Sequence, residues 1–576
     1  MSTIDLSLTR IRSLSTHLPP YTRPTIHIAG TNGKGSVSAL LTSILSAADL
    51  HVGRFNSPHL VHVHDSISID NRPIILDTYT AARRQVEDAD ATHGTDVSSF
   101  ELLTLTALHI FQEASVDIVI LEVGMGGLLD ATNVIPTQSV LCSALTAVDL
   151  DHQAFLGTTL AQIARHKAGI ARPGRPFVLG PQSDGTIVQA VEEVVFNAGG
   201  RLRRSPRVDA DNENSTAFSL PPPPQRIRAT LESFPDRAIC ASLALQGKHQ
   251  LDNLSTALGI IDALLLSSTP PSSESQTNDL SEMFGTLNLA SRVTADTIER
   301  GIRDVQWPGR LSFHLLQIPT RPETNPPTTS SSGSTTNTTN TPLLILADGA
   351  HNPASARTLG AYISYLQQQP LVAQQQPITI TYILALSHSP PKTPHDTLSP
   401  ILAPVLSSLP SPSPSSSSSS PALKPGIALI PFTPPAGMPW VRPVDPRVLH
   451  ETVMRLFRSS MPGSEHEREA PSSALDTTNQ VEIRVFDNHT AEITTPSGAP
   501  PPSVSALEGF NLPLVDALYW AASRHRVTED VSSRTEDDTQ QSSRSQHPRG
   551  LVVLAGSLYL VADLYRVLEG GFGSGS

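Results

Sequence analysis

Apolar and polar positions along this chain switch between two periods, and the switches mark its elements. Pro24 to Ile28 is a short apolar run rich in β-branched residues and predicts a strand. Val37 to Ala48 (V-S-A-L-L-T-S-I-L-S-A-A) carries apolar residues at helical spacing and predicts a helix. Ile4, Leu8, Ile11 and Leu14 share that spacing near the N-terminus. Residues 61–69 (V-H-V-H-D-S-I-S-I) alternate with period two, which predicts a strand or hairpin with N-R-P at its turn. Ser99 to Ala114 reads as a helix, and Val116 to Val123 (V-D-I-V-I-L-E-V) as a strand buried on both faces, followed by G-M-G-G. Val140 to Val148 reads as a further strand, and Leu160 to Ile170 as a helix closed by Gly169 and Pro173. Strands alternating with helices predict a mostly parallel α/β sheet. In such sheets ligands gather at the carboxyl ends of the strands.

Composition changes this picture at several places. Tracts at roughly 204–225, 267–280, 319–342, 389–424 and 463–482, and a polar stretch near 527–549, are dominated by Ser, Thr, Pro, Asn and Gln. Such composition buries too little apolar surface to offset chain entropy, so these tracts are expected to be disordered insertions. Between them, L-L-I-L-A (343–347), I-T-I-T-Y-I-L-A-L (378–386) and G-L-V-V-L-A-G-S-L-Y-L-V (550–561) again read as strands and helices. With 576 residues, too many for one core, the expectation is two domains, 1–311 and 312–576, the second smaller and also α/β.

A net charge of -13 argues against a nucleic-acid surface and suits an enzyme that handles small anions locally. Two cysteines, Cys142 and Cys240, offer neither a disulfide scaffold nor a cysteine-rich metal site. No stretch has the length of apolar residues that a membrane span needs, and the N-terminus lacks a signal-peptide core. The expectation is a cytoplasmic protein without membrane partners, with a mitochondrial one as the alternative because the first residues (M-S-T-I-D-L-S-L-T-R-I-R) are weakly amphipathic and carry two Arg.

The strongest candidate chemistry lies between the first strand and the first long helix, in H-I-A-G-T-N-G-K-G-S (27–36). Strand, glycine-rich turn and helix present bare backbone N–H groups and a helix N-terminus to a phosphate chain. Lys34 adds a point charge, and a hydroxyl near the helix start can hold Mg²⁺. The stretch departs from the strict G-x-x-x-x-G-K-[ST] pattern: Ile28 stands at the first Gly, and Gly35 separates Lys34 from Ser36.

Six motifs follow in order: this loop, S-P-H-L (57–60), L-E-V-G-M-G-G-L-L-D-A-T-N-V (121–134), D-H-Q-A-F-L-G-T-T-L (151–160), K-A-G-I (167–170) and D-G-A-H-N-P (348–353). Together they resemble the folylpolyglutamate synthase and dihydrofolate synthase family, a branch of the Mur-ligase-like ATP-dependent amide ligases. The resemblance implies a Mur-ligase-like P-loop ATPase domain and a smaller C-terminal Rossmann-like domain. It also implies acyl activation: ATP phosphorylates a carboxylate, and the amino group of L-glutamate displaces the phosphate.

By the same resemblance Gly33, Lys34, Gly35 and Ser36 hold the ATP phosphates, and Ser36, Ser57, Glu122 and His152 are the Mg²⁺ ligands. Lys34, Lys167 and His152 are the catalytic set, with Lys167 at the lysine that this superfamily carbamylates; a monovalent cation is a further implied cofactor. Asn253, in G-K-H-Q-L-D-N, and Arg310, in W-P-G-R-L, are implied ATP contacts, as are Asp348 and His351 from the second domain. The family's substrates are small molecules, and a monomer is expected.

The family divides by acceptor, 7,8-dihydropteroate for the synthase and a reduced folate for the extending enzyme. T-I-D-L-S-L (3–8) resembles the dihydropteroate-binding loop, which implies pterin contacts from Ile4, Asp5 and Leu6. Asn32 in the glycine loop and H-V-H-D-S-I-S-I (62–69) also favour the dihydrofolate synthase side. Phe100 and Glu101, in S-S-F-E, and Asp130 complete the implied pterin site; an aromatic face suits a flat ring. One departure stands out: the family's G-G-R-x-D-A-T-N has Leu128 here in place of Arg. Dihydrofolate synthase is therefore the expected activity. A folylpolyglutamate synthase or bifunctional enzyme is the alternative, followed by a non-catalytic nucleotide-binding scaffold.

Overall fold

The computed structural model describes residues 7–211, 219–268, 279–319, 340–369, 379–390, 392–408, 424–438, 440–460, 481–487, 511–525 and 550–570. The chain divides into two compact units, Met1–Thr216 with Pro222–Pro308, and Ala217–Pro221 with Gly309–Ser576.

The first unit runs α1 (Thr9–Ser15), β1 (Thr25–Ala29), α2 (Lys34–Ala47), β2 (Val52–Phe55), β3 (Ile67–Ile69), β4 (Arg72–Pro73), α3 (Leu76–His93) and α4 (Ser99–Glu113). It continues through β5 (Ile118–Glu122), β6 (Val140–Leu145), α5 (Gln153–Leu156), α6 (Leu160–Ala168), β7 (Pro176–Leu179), α7 (Gly185–Asn197) and β8 (Arg201–Arg204). β9 (Val208–Ala210), β10 (Gln225–Ala229), β11 (Ile239–Leu243), α8 (His249–Ser268), α9 (Asp279–Leu287), α10 (Leu289–Arg292) and α11 (Ala295–Asp304) complete it.

Eight strands form one sheet in the order β4-β3-β2-β5-β1-β6-β7-β8. β2 through β8 in that order are parallel, and the β3–β4 hairpin adds an antiparallel edge. Period-two alternation explains why β5 reads as an unbroken apolar run. Ile118 and Ile120 pack with residues of α2, α8 and α11, whereas Val119 and Leu121 pack with α1, α3 and α4. A sheet covered on both faces leaves its strand ends as the places where polar groups can collect. β1, with β5 and β6 on either side, puts the glycine loop at the middle of that edge.

The second unit runs β12 (Ser312–Pro319), β13 (Asn340–Asp348), α12 (Pro353–Gln368), β14 (Thr379–Leu384), α13 (Pro394–Ser407) and β15 (Gly426–Leu429). α14 (Pro446–Ser460), β16 (Glu482–Val485), α15 (Leu512–His525), β17 (Gly550–Ala555) and α16 (Leu558–Glu569) follow. Its six strands are ordered β12-β13-β17-β14-β15-β16, parallel except for β12 against β13. Among the described residues no helix is long and apolar enough to cross a membrane.

Three expectations need correction. Residues 63–66 form a 3₁₀ turn rather than strand, because Asp65 accepts from the N–H groups of Val61 and His62 and closes the backbone locally; only Ile67–Ile69 joins the sheet. The tract at 389–424 contains α13, whose Leu398, Ile401, Leu402 and Val405 are buried at helical spacing although Pro400 and Pro404 lie within the helix. The tract at 204–225 contains β9, which pairs with β10 in a three-stranded antiparallel sheet. Of the tracts expected at 267–280, 319–342 and 463–482, residues 269–278, 320–339 and 463–480 lie outside the described residues, as do the whole of 527–549 and Ile4, Asp5 and Leu6.

Candidate active site

The glycine loop is built as its composition demands. Gly33 caps α2 with φ 92°, a left-handed conformation that L side chains rarely adopt. A Cβ there would also stand 2.1 Å from Oδ1 of Asn253, so α8 closes directly on the loop. At Gly35 a Cβ would meet Trp307 Cζ2 at 2.4 Å. Backbone bonds from Thr31 and Asn32 to Ala147 O, and from Thr146 Oγ1 to Asn32 O, brace the loop against the segment after β6. The first amides of α2 are thereby fixed at the end of β1, the geometry that suits an anion.

Two lysines meet at one carbonyl. Lys34 Nζ donates to Gly30 O at 3.2 Å and to Thr31 O at 3.4 Å, and Lys167 Nζ donates to Gly30 O at 2.8 Å. Lys34 also lies 3.7 Å from Oε1 of Glu122, the last residue of β5. Glu122 is buried and accepts from Asn56 Nδ2 at 2.6 Å. Lys167, only 2% exposed, has its pKa lowered to about 7. Burial is the larger cause and Lys34 the next, with Asp151 and Asp130 pulling the other way.

Ser36 is buried in the first turn of α2 and accepts from Gln250 Nε2 at 3.3 Å; Asn253 Nδ2 in turn donates to Gln250 Oε1 at 2.8 Å. Ser57 follows β2 directly after Asn56. His152 caps the short helix α5 with φ 50°, is 47% exposed, and has Asp151 Oδ2 4.0 Å away. Among the described residues no three His, Cys, Asp or Glu side chains converge as a metal site. A hydroxyl, a buried carboxylate and an imidazole beside a phosphate loop still fit Mg²⁺, which takes few protein ligands and completes its shell with phosphate oxygens and water.

The residues expected to meet the pterin are placed unevenly. Phe100 packs over Gly124, where a Cβ would stand 2.3 Å from its Cζ, and 6.3 Å from the ring of Phe55. Glu101 is engaged in capping α4, bonding the N–H of Ser98 at 2.7 Å, and pairs with Arg10 at 3.2 Å. Asp130 is buried and accepts from Met125 N, Thr132 N and Thr132 Oγ1. Both its oxygens accept from the loop after β5, which fixes the orientation of the carboxylate. Leu128 is 47% exposed.

In the second unit, Asp348 ends β13 and accepts from the N–H groups of Leu311 and Ala350, both at 2.9 Å. Burial raises its pKa, and the Arg310 charge opposes that rise. Arg310 Nη1 donates to Gly309 O and lies over Gly349, and His351 is exposed with Nδ1 bonded to Gly349 O. Arg310, Asp348 and His351 are therefore gathered at one strand end.

Sequence reasoning passed over Asn56, Arg54 and Trp307. Asn56 was legible as the polar neighbour of S-P-H-L, and Arg54 as a charge in an otherwise apolar strand. Trp307 is recognisable only once its ring is seen against Gly35.

A phosphate-type loop between β1 and α2, set in a parallel sheet with a buried lysine–carboxylate pair beside it, defines a Mur-ligase-like α/β protein. Residues 28–261 match the Mur ligase middle domain. The chain is 31% identical over 460 residues to the dihydrofolate synthetase of Saccharomyces cerevisiae, covering 78% of this chain and 87% of the relative. It is 26% identical over 466 residues to a probable dihydrofolate synthetase of Schizosaccharomyces pombe, with 78% and 88% covered. In fold it is similar to the Mycobacterium tuberculosis folylpolyglutamate synthase complexed with ADP and AMPPCP (TM-score 0.60, 22% identity, 98% of this chain and 95% of that one). The Escherichia coli FolC in complex with DHPP and ADP is alike to a similar degree (TM-score 0.58, 22% identity, 99% and 95%). The chain belongs to the folylpolyglutamate synthase/dihydrofolate synthase family of ligases.

Proposed function

We propose that this protein is a dihydrofolate synthase, joining L-glutamate to 7,8-dihydropteroate at the expense of ATP. The observation that carries the acceptor assignment is the likeness to the yeast dihydrofolate synthetase over most of both chains. A folylpolyglutamate synthase or bifunctional activity is the second reading. It is favoured by a Haemophilus influenzae dihydrofolate synthase/folylpolyglutamate synthase, 39% identical over 197 residues, 33% of this chain.

In the reaction a pteroate carboxylate oxygen attacks the γ-phosphorus and ADP leaves. The glutamate amine then attacks the acyl carbon, and phosphate departs with the bonding pair. Two anions must be held close together. The amides at the start of α2 and the Nζ of Lys34, held 3.7 Å from Glu122, offer the fixed positive charge this needs. Ser36, Ser57, Glu122 and His152 are the groups that would hold Mg²⁺, which when bound neutralises phosphate charge. Burial lowers the pKa of Lys167 to about 7, which favours the neutral amine that carbamylation requires. Asn253 reaches the loop at Gly33. Arg310 and His351 are the second unit's candidate nucleotide contacts, and Asp348 fixes the turn between them.

The test is ADP release from purified protein with ATP, Mg²⁺ and L-glutamate, comparing 7,8-dihydropteroate with tetrahydrofolate monoglutamate. Turnover with dihydropteroate alone is expected. Turnover with the folate alone would overturn the assignment, and turnover with both would make the enzyme bifunctional. Turnover with neither would leave a nucleotide-binding scaffold.

A further inference from the structure

Arg54 is the one charged residue of β2 (V-G-R-F). It lies in β2 in register with Ile120 of β5, and the preceding same-face pair, Val52 with Ile118, packs into the core beneath α2. Alternation therefore turns Arg54 to that face, together with Glu122 two residues beyond Ile120. Burial lowers its pKa to about 10, and the charge of Glu122 opposes the fall. The indole of Trp307 covers the guanidinium at 5.2 Å, and the same indole abuts Gly35 in the first turn of α2. The guanidinium is thus held one ring's breadth from the phosphate loop. Yet its Nε and Nη1, both closed to solvent, have no hydrogen-bond partner among the described residues. An unmet buried donor is costly, and more so on a charged group, so packing alone gives no reason for an arginine here.

We propose that Arg54 is an oxyanion-binding residue of this site, its unpaired N–H groups receiving an oxygen of the terminal phosphate or of the glutamate carboxylate. The inference rests on the ligase reading above. Because the two donors are shut off with the indole over the guanidinium, an oxyanion reaches them as the ring shifts. Trp307 then reports the event.

The chain has three tryptophans. Trp440→Phe with Trp520→Phe leaves Trp307 as the sole emitter. In that full-length background, with Mg²⁺, the probes are ADP, a β,γ-methylene ATP analogue, and L-glutamate added to the ADP-bound protein. One probe is expected to change Trp307 emission, and Arg54→Gln to weaken that probe at least tenfold. Loss of the ATP analogue with ADP retained assigns the phosphate; loss of L-glutamate with nucleotide retained assigns the carboxylate. Parental affinity for all three in Arg54→Gln overturns the proposal. If Arg54→Gln does not fold, Arg54→Lys replaces it: a weakened probe supports the proposal and parental affinity overturns it. ADP release by the parent is measured alongside. An Arg54-dependent probe without turnover sinks the ligase reading and leaves the oxyanion site. Turnover with Arg54-independent binding does the reverse.

Discussion

Two parallel strands, one in each unit, run from an apolar core to a buried carboxylate and are finished differently. β5 ends at Glu122, 5% exposed, and β13 at Asp348, 7% exposed. A carboxylate so placed is costly unless its oxygens are satisfied. Asp348 is satisfied by backbone, the N–H groups of Leu311 and Ala350, which no ligand can displace without undoing the turn. Glu122 is met by side chains as well, the amide of Asn56 at 2.6 Å and the ammonium of Lys34 at 3.7 Å. The same residue chemistry at the same fold position is thus held by the backbone of a turn in one unit and by side chains beside the glycine loop in the other.

The sharpest way to break this contrast is Glu122→Gln. The amide keeps an oxygen for Asn56 and loses the charge facing Lys34. Turnover in the ADP-release assay is expected to fall about 100-fold or more, in line with the removal of a group that acts on transition-state charge. The thermal midpoint is expected to stay near the parent's. Near-normal turnover would erase the difference between the two strand ends.

Asp348→Asn is the matching change in the second unit, and its effect falls on stability. One of the two backbone N–H groups would face an amide N–H instead of an oxygen, a loss of about 1–3 kcal/mol. Denaturant unfolding is the measurement. Unchanged stability combined with lost turnover would make Asp348 a ligand like Glu122.

How far this contrast could be seen in the sequence depends on where the partners come from. β1, α2 and β5 were legible because their apolar periods are continuous and their ends carry glycine motifs. α13 was hidden because Ser and Pro dilute the tract around Leu398 and Ile401, and composition was weighed over period. The turn at 63–66 looks like strand in the sequence because two histidines preserve the alternation, whereas Asp65 bonds the backbone locally. In the site, motif order located Lys34 and Glu122, but no spacing reveals that Lys34 and Lys167 share Gly30 O, or that Asp130 spends both oxygens on its own loop. Those are facts of packing between segments far apart in sequence.

A titrating amine, Lys167, is bonded to Gly30 O just beyond β1. Lys167 has a folded pKa of about 7 against about 10.4 for an unperturbed lysine. Between those values the unfolded chain binds the extra proton, so this group makes stability rise with pH, by at most about 1.4 kcal/mol per pH unit. Below pH 7 the amine is charged in both states and its burial penalty is fully present. Lys167→Met is expected to flatten the dependence of the thermal midpoint on pH from 7 to 9 and to raise the midpoint at pH 6. A parallel pair of curves would mean that Lys167 stays charged throughout, which would also remove the basis for its carbamylation.

The smallest effect is expected at Leu128, where the family motif has arginine. Its N–H donates to His166 O, and its carbonyl accepts from Asn133 Nδ2 at 2.9 Å, so the backbone is held independently of a side chain that is 47% exposed. Leu128→Arg should therefore leave stability within about 0.5 kcal/mol of the parent, as for most exposed substitutions. An added surface charge near the acceptor is worth about 1 kcal/mol at most, so KM for the anionic acceptor should fall about fivefold or less. KM for ATP should not move, because Lys34 and the α2 amides, the groups proposed to bear on the nucleotide, are untouched. An equal fall in both KM values would place residue 128 within reach of both substrates. The reading that residue 128 bears on the acceptor alone would then have to be abandoned.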